Sequence, residues 1–242
     1  MSTLSIHPTI ARYSNQTLLC DADDTLWENN IYFEQAISTF ITYLDHLVHT
    51  PAEVREHLNH CERRTIAAYG YGIHSFRRSL IDCFEQLSES PVTPEHHAQI
   101  VSFTEAIAST EIELLPGVEE TLRKLQLSHR LILVTKGDII EQTDKIERSG
   151  LRPLLSAIEV LPEKNPAAYL DLIQRYDCDP SSTWMIGNSA KSDINPSLAA
   201  GLNAIFIPHD STWVLEHEVV DLPTAGERLL QLQSFSELLR YF

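Results

Sequence analysis

The chain has 242 residues and a formal net charge of −16, from 34 acidic and 18 basic side chains. Its length suits one large domain or a core domain with an insertion, and 43% hydrophobic residues are enough for a buried core. The charge excludes most binding to nucleic acid or to anionic membranes, because phosphate groups would be repelled over most of the surface. A small phosphorylated substrate, held by local positive charge, remains compatible with it.

The sequence predicts a cytoplasmic protein. No run of about 18 apolar residues exists, so no membrane span is expected. The N-terminal segment has no basic stretch followed by an apolar one, so no secretory signal is expected. Widely spaced cysteines without a C-x-x-C pair predict reduced thiols. They are Cys20, Cys61, Cys83 and Cys178.

Outside one long insertion, short apolar runs alternate with helical segments. The runs are continuous, which is typical of parallel strands covered on both faces, and lie at 17–22, 130–135, 157–161, 183–187 and 203–207. The helical segments lie at 116–126, 142–148, 166–176 and 195–201. This order predicts an α/β fold with a doubly wound, mostly parallel, five-stranded Rossmann-like sheet. Residues 227–242 are predicted to form a helix that packs on the core.

The insertion has almost no strand pattern. Apolar residues at helical spacing in 33–44, proline starts at Pro51 and Pro94, and the segment 73–87 predict four helices. The predicted division is a core of residues 1–27 and 114–242 and an inserted α-helical cap of residues 28–113. Because the cap follows the first strand, it is expected to lie over the strand ends where open α/β sheets bind ligands, and to shape and desolvate a substrate.

Two aspartates follow the first strand. Asp21 and Asp23 are two residues apart, so in an extended segment their side chains point the same way. Carboxylates this close repel each other unless a cation or a proton lies between them. The pattern predicts a metal, a nucleophile and a proton-transfer group in one place, and the alternative is an ordinary acidic turn. Asp24 is interpreted as a turn or helix N-cap residue.

The other strand ends also carry polar residues. Thr135 and Lys136 end the second strand, where a hydroxyl and backbone amides can bind a phosphoryl oxygen. Lys164 precedes a helix, where the macrodipole disfavours it unless the ammonium pairs with a carboxylate or phosphate. Asn188 and Asp193 follow the fourth strand and offer the hard oxygens that suit Mg²⁺. Each residue alone also fits a structural role.

The ordered set of motifs is informative. The segments DADDTLW, LVTKGD, EKNPAAY and GNSAKSD resemble motifs of the haloacid dehalogenase-like (HAD) hydrolase superfamily over about residues 15–215. The similarity is to phosphatase-type members with a helical cap after the first motif. It implies that Asp21 is a nucleophile forming an aspartyl-phosphate and that Asp23 is the general acid/base. It also implies that Thr135 and Lys164 hold the phosphoryl group, with Lys136 beside them.

The resemblance also implies a Mg²⁺ ion. Its ligands would be Asp21, Asp23 through its carbonyl, Asn188 and Asp193. The family pattern commonly has Gly-Asp where this chain has Gly187-Asn188, so Asp193 must supply the second acidic ligand. Which of Asn188 and Asp193 touches the metal directly is left open.

The predicted function is therefore Mg²⁺-dependent hydrolysis of a small phosphorylated metabolite. The alternatives are a phosphomutase, a dehalogenase, or a catalytically silent HAD-like binding protein. Dehalogenases of the superfamily lack the second aspartate, so Asp23 disfavours them, and retention of Thr135 and Lys164 disfavours a silent protein. Crowding against Asp21 is expected to keep Asp23 partly protonated.

Substrate contacts are expected from the predicted cap. The segment 69–76 carries glycines before the third cap helix, and Tyr71 and His74 are candidates for contact with substrate, although a simple interhelical loop is the alternative. The histidines lack the spaced partners of a zinc site, and no nucleotide-binding glycine motif is present. Neither a nucleic-acid nor a membrane partner is expected, and the oligomeric state is not readable.

Overall fold

A computed structural model describes residues 13–45, 47–223 and 228–242. Its centre is a single parallel sheet with the strand order β3-β2-β1-β4-β5-β6. The strands are β1 Thr17–Cys20, β2 Arg130–Lys136, β3 Ala157–Leu161, β4 Thr183–Gly187, β5 Asn203–Phe206 and β6 Leu229–Gln231. The predicted parallel α/β architecture is confirmed, but the sheet has six strands where five were predicted.

Within the described ranges, four helices form the insertion that follows β1. They are α1 Asn30–Leu44, α2 Pro51–Tyr69, α3 Ile73–Leu87 and α4 Pro94–Ser109. They share an apolar cluster of their own, in which Phe40, Leu58 and Leu80 are fully buried. The chain enters and leaves this insertion side by side, because the Glu28 N–H donates to the Glu113 carbonyl at 2.9 Å. The predicted helices are confirmed, and the division into core and cap stays a prediction.

Four further helices cover the sheet. They are α5 Val118–Leu125, α6 Ile139–Arg148, α7 Pro166–Arg175 and α8 Asn195–Ala199. In the part of the chain that the structure describes, no helix has both the length and the apolar character needed to cross a lipid bilayer. All four cysteines are free thiols, and the cytoplasmic location stays a prediction.

Both faces of the sheet are buried. Successive residues of one strand belong to different apolar clusters, since Leu18 packs with Trp184 on one face and Leu19 packs with Met185 on the other. A strand buried on both faces needs apolar residues at every position, which explains the continuous runs in the sequence. Since all strands are parallel, their carboxyl ends meet at one edge of the sheet.

The predicted C-terminal helix is wrong. Its first residue, 227, lies outside the described residues, and the rest forms β6 and a 3₁₀ turn at Phe235–Arg240. β6 pairs with β5, where Leu229 lies opposite Ala204. The turn then buries Phe235 and Leu238 in the main apolar cluster. A strand of three residues is too short to show a clear alternating pattern in the sequence. It is stabilised by pairing with its neighbour, so local spacing cannot predict it.

Candidate active site

A buried lysine joins two of the predicted aspartates. Lys164 Nζ donates to Asp21 Oδ1 at 2.5 Å and to Asp193 Oδ1 at 2.7 Å. The Lys164 side chain is only 1% exposed. Burial disfavours the ammonium, but the two carboxylates outweigh that cost and raise the pKa of Lys164. The predicted pairing of Lys164 with a carboxylate is confirmed, and Asn165 caps the following helix by accepting from the Ala168 N–H at 3.0 Å.

Asp21 is held in place from the two central strands. Its N–H donates to the Ile186 carbonyl at 2.9 Å and so continues the pairing of β1 with β4. The Thr25 hydroxyl lies 2.9 Å from Asp21 Oδ2 and 3.2 Å from Asn188 Oδ1. Asn188 Nδ2 donates to the Thr212 hydroxyl at 3.0 Å, which turns the amide oxygen toward Asp21. Thr25 was not among the predicted site residues, although it ends the D-A-D-D-T motif.

Asp193 comes from a π-helical turn, Ala190–Ile194, after β4. Its Oδ2 accepts from the Ser189 N–H at 3.0 Å. The carboxylate lies against Gly187, where an added Cβ would be 2.2 Å from Oδ2, so only glycine leaves room for it. Burial, together with the nearby charge of Asp21, raises the pKa of Asp193 to about 7.

The charges of this cluster do not balance. Two carboxylates, Asp21 and Asp193, share one ammonium, and within the described residues Lys164 is the only cation paired with them. Burying a net negative charge is costly unless a further cation compensates it. The carboxylate oxygens and the Asn188 amide oxygen are ligands suited to Mg²⁺. The donor set and its missing positive charge therefore fit a divalent cation.

Asp23 has a different environment. Its carboxylate accepts from Trp27 Nε1 at 2.7 Å, from Gln142 Nε2 at 2.9 Å and from Lys145 Nζ at 2.5 Å. Burial favours the neutral acid, but Lys145 and these hydrogen bonds outweigh it and lower the pKa of Asp23. The expectation that crowding against Asp21 keeps Asp23 partly protonated is therefore wrong for the protein without ligand. Nothing in the local sequence of α6 marks Lys145 and Gln142 as its partners.

Asp24 lies in a turn, as predicted, and binds the start of helix α1, whose N-cap residue is Asn29. Its carboxylate accepts from the backbone N–H groups of Asn29 at 2.9 Å and Asn30 at 3.0 Å, at the start of α1. Its φ of 58° is left-handed, a conformation that aspartate tolerates better than most residues. Asp24, Glu28 and His209 each place one potential metal-ligand atom within 4.8 Å of the others. The hydrogen bonds to the start of α1 explain Asp24, so we assign no metal to this group.

Thr135 and Lys136 end β2 and border the same cavity as Asp21. Thr135 is buried, and its hydroxyl has no hydrogen-bond partner among the described residues. Lys136 Nζ donates to the Ser192 hydroxyl and to Glu216 Oε1, each at 2.7 Å. Burial disfavours this ammonium, but Glu216 outweighs burial, and the pKa of Lys136 is raised. A phosphate contact by the Lys136 ammonium would therefore compete with Glu216, a residue that sequence reasoning missed.

The cavity runs from Asp21 to the helices of the insertion. Tyr71 lies on its wall, where the hydroxyl donates to Glu163 Oε2 at 2.8 Å and accepts from Lys136 Nζ at 3.2 Å. His74 is exposed on α3 and does not line the cavity, whereas the next residue, Ser75, does. The predicted substrate contact of His74 is wrong, because the phase of α3 turns that side chain to solvent.

Comparison with known proteins identifies the family. The sequence model of the haloacid dehalogenase-like hydrolases, described as a hydrolase family, matches residues 16–201. The chain belongs to this family. A curated relative, the N-acylneuraminate-9-phosphatase of Homo sapiens, is 28% identical over 130 residues, which are 52% of this chain and 50% of the relative. The chain thus matches about half the length of that relative.

Solved structures share the fold of this HAD hydrolase. A haloacid dehalogenase-like family hydrolase from Xanthomonas campestris is 30% identical, with a TM-score of 0.80 over 95% of this chain and 92% of that one. A predicted phosphoglycolate phosphatase from Haemophilus somnus is 16% identical (TM-score 0.60, 93% and 97% covered). The L-2-haloacid dehalogenase of Xanthobacter autotrophicus is 11% identical (TM-score 0.63, 93% and 97% covered). The last two show a common fold alone.

The site of this HAD hydrolase brings together the side chains that the sequence singled out. Asp21, Asn188, Asp193 and Lys164 converge at the carboxyl ends of the strands, and Asp23 and Thr135 border the same cavity. The arrangement offers several carboxylates and a buried ammonium on the wall of one cavity. Such a site can attack an electrophilic centre and neutralise the charge that develops on it.

Proposed function

We propose that this HAD hydrolase is a Mg²⁺-dependent phosphatase that hydrolyses a small phosphorylated metabolite through an aspartyl-phosphate on Asp21. The observation that carries the proposal is Asp23, a second carboxyl group on the wall of the cavity that contains Asp21. An alkoxide leaving group needs a proton, whereas a halide leaves as a stable anion. A second acid/base is therefore useful for phosphate esters and dispensable for dehalogenation. The 28% identity to a phosphatase supports the same choice.

Four groups would hold the metal: the carboxylates of Asp21 and Asp193, the amide oxygen of Asn188 and the backbone carbonyl of Asp23. The unbalanced negative charge of the buried cluster supports this assignment. When bound, Mg²⁺ would supply the positive charge that lets an anionic phosphate approach an anionic carboxylate.

The chain's own residues account for the bond changes. Asp21 attacks phosphorus, the bond from phosphorus to the ester oxygen breaks, and Asp23 gives its proton to the departing alkoxide. Water then attacks the aspartyl-phosphate, Asp23 takes a proton from that water, and inorganic phosphate leaves while the Asp21 carboxylate is restored. Lys164 and the free hydroxyl of Thr135 would bind the equatorial phosphoryl oxygens during both steps.

Asp23 must acquire a proton before the first step. In the protein without ligand, Lys145 keeps it ionised. A phosphate dianion that enters the cavity raises the pKa of Asp23 by charge repulsion and competes for the Lys145 ammonium. Substrate binding thus supplies the protonation that crowding with Asp21 alone does not.

We propose that residues 28–113 act as a cap over this site. Several polar contacts join the insertion to the sheet domain, and two of them, at residues that line the cavity or adjoin it, support the idea. The Tyr71 hydroxyl donates to Glu163, and the Glu141 carboxylate accepts the Ile73 N–H at 2.9 Å at the start of α3. Hydrogen bonds of this kind can break and re-form, as opening for substrate exchange requires.

The test is a p-nitrophenyl phosphate assay with Mg²⁺ and with excess EDTA. We expect Mg²⁺-dependent phosphate release that falls by about 1000-fold in Asp21→Asn, because the amide is a poor nucleophile. Asp144→Asn, an exposed substitution on α6, serves as the matched control and should retain activity. Undiminished turnover in EDTA or in Asp21→Asn contradicts the proposal. Halide release from 2-chloropropionate would indicate a dehalogenase. Transfer of the phosphoryl group to a second hydroxyl would indicate a mutase.

A further inference from the structure

A carboxyl group in the insertion has no role in the chemistry above. Glu62 on α2 borders the same cavity as Asp21, yet it is only 5% exposed. No described residue forms a hydrogen bond with either of its oxygens, and Oε2 is completely shielded from solvent. Burial raises the pKa of Glu62 to about 7. A buried polar group without a partner costs stability, so its presence requires a reason.

The nearest cation does not supply a partner. Arg55 donates to both oxygens of Glu34, at 2.5 and 2.8 Å, and through Nε to Asn59 Oδ1 at 2.9 Å. The charge of Arg55 acts on Glu62 as well, but all the hydrogen bonds that Arg55 forms with described residues go to Glu34 and Asn59. The other buried polar side chains of α2 are satisfied, as Thr65 is by its bond to the Cys61 carbonyl at 2.7 Å. Glu62 is therefore an exception on its own helix.

Glu62 and the groups around Asp21 line the same cavity, but Glu62 belongs to the insertion. One part of the cavity wall carries Asp21 and Lys164, and the part formed by the insertion combines apolar side chains with polar ones. The apolar residues are Phe33, Ile37, Ile66 and Phe76. Ser75, a buried polar residue, lines the cavity as well. The cavity has a volume of about 170 Å³, which suits a small metabolite.

We propose that Glu62 recognises a hydrogen-bond donor, a hydroxyl or an amine, that a small phosphate ester carries at the end remote from its phosphate. The inference rests on the proposed phosphatase function and adds a substrate class to it. Apolar walls between two polar ends select a ligand with a hydrocarbon segment between phosphate and donor. A ligand without the donor leaves the Glu62 carboxyl unpaired, and this penalty is what generates specificity.

Three matched series of probes test this proposal: n-alkyl phosphates, ω-hydroxyalkyl phosphates and ω-aminoalkyl phosphates with three to six carbons. At the best chain length we expect kcat/KM for a donor-bearing ester to exceed that for the plain ester by about 10- to 100-fold, as for hydrogen bonds to charged groups. In Glu62→Met the ratio should fall to about one, with kcat/KM for the plain ester retained. Glu62→Gln should keep the preference for the hydroxyl and lose that for the amine, because an amide accepts a hydrogen bond but carries no charge.

Binding measurements keep this proposal separate from the proposed function. Calorimetry of the same esters with Asp21→Asn reports the preference without turnover, so hydrolysis can fail while the preference is still found. The control Glu56→Gln changes an exposed residue of the same helix and should leave the ratio unchanged. Thermal unfolding should show Glu62→Met at least as stable as the wild type, because an unpaired carboxyl is removed. A ratio near one in the wild type, a ratio that survives in Glu62→Met, or strong destabilisation by Glu62→Met overturns the proposal.

Discussion

Replacing Asp193 with asparagine should make the metal-free protein more stable while it removes activity. The pKa of Asp193 is raised from 3.8 to about 7 by burial and by the charge of Asp21. At about 1.4 kcal/mol for each pKa unit, ionised Asp193 costs the folded state about 4 kcal/mol relative to the neutral acid. Asparagine mimics the neutral acid in size and charge, and Lys164 keeps Asp21 as its partner.

The expected gain in the free energy of unfolding is smaller than this, because the substitution also removes one hydrogen bond. The wild-type carboxylate accepts from Lys164 at 2.7 Å and from the Ser189 N–H at 3.0 Å. Asparagine has one acceptor oxygen, so one of these bonds is lost, at a cost of about 1 kcal/mol. We therefore expect Asp193→Asn to be about 2–3 kcal/mol more stable at pH 8, which is about 5–10 °C in Tm for a chain of this size.

The pH dependence of the free energy of unfolding tests the raised pKa of Asp193 more directly than the stability at a single pH. Between pH 4 and pH 7 the folded wild type holds a proton on Asp193 that the unfolded chain has lost, so its free energy of unfolding decreases as pH rises. Asparagine has no such proton. The advantage of the variant should therefore be about 3 kcal/mol smaller at pH 5 than at pH 8. This difference does not depend on the cost of the lost hydrogen bond, which is the same at both pH values.

Urea unfolding in EDTA at pH 5 and pH 8 measures both quantities, with the exposed substitution Asp144→Asn as control. The control should change the free energy of unfolding by less than about 0.5 kcal/mol at either pH. Mg²⁺-dependent turnover of the variant should fall by about 100-fold or more, because an acidic ligand is lost. A variant less stable than the wild type at pH 8, or an advantage independent of pH, refutes the reasoning.

Three further substitutions test individual contacts. Lys164→Met leaves two buried carboxylates without their ammonium, so we expect urea unfolding at pH 8 to show a free energy of unfolding lower by about 3–5 kcal/mol. The loss should be smaller at pH 5, because a proton can replace the cation there. Gly187→Ala places a Cβ 2.2 Å from Asp193 Oδ2, so it should displace that carboxylate and weaken Mg²⁺ activation, seen as a raised half-saturating Mg²⁺ concentration. Lys145→Met removes the cation that lowers the pKa of Asp23. The alkaline limb of the pH profile of kcat/KM, above which Asp23 loses the proton that the first step requires, should therefore move to higher pH; an unmoved limb would exclude Asp23 as its origin.

Local patterns predicted most of the elements. β3 and β4 have the predicted bounds, because continuous apolar runs bounded by turn residues have few other solutions in an α/β chain. α3 also begins and ends as predicted. The tail after β5 was mispredicted, because β6 is an edge strand of three residues that only its pairing with β5 stabilises.

The sequence by itself determined the chemistry of the candidate site, because parallel strands bring polar residues at their carboxyl ends to one edge of the sheet. Asp21, Lys164 and Asp193 could be assigned to one place for that reason alone. The tertiary structure decided which groups of the site carry a proton, and Asp23 is the clearest case. Lys145, which keeps Asp23 ionised, is 122 residues away along the chain, and no local pattern reports such a contact. Likewise, an unpaired Glu62 looks in the sequence like any other helical glutamate, since burial and the lack of a partner exist only once the helices have packed.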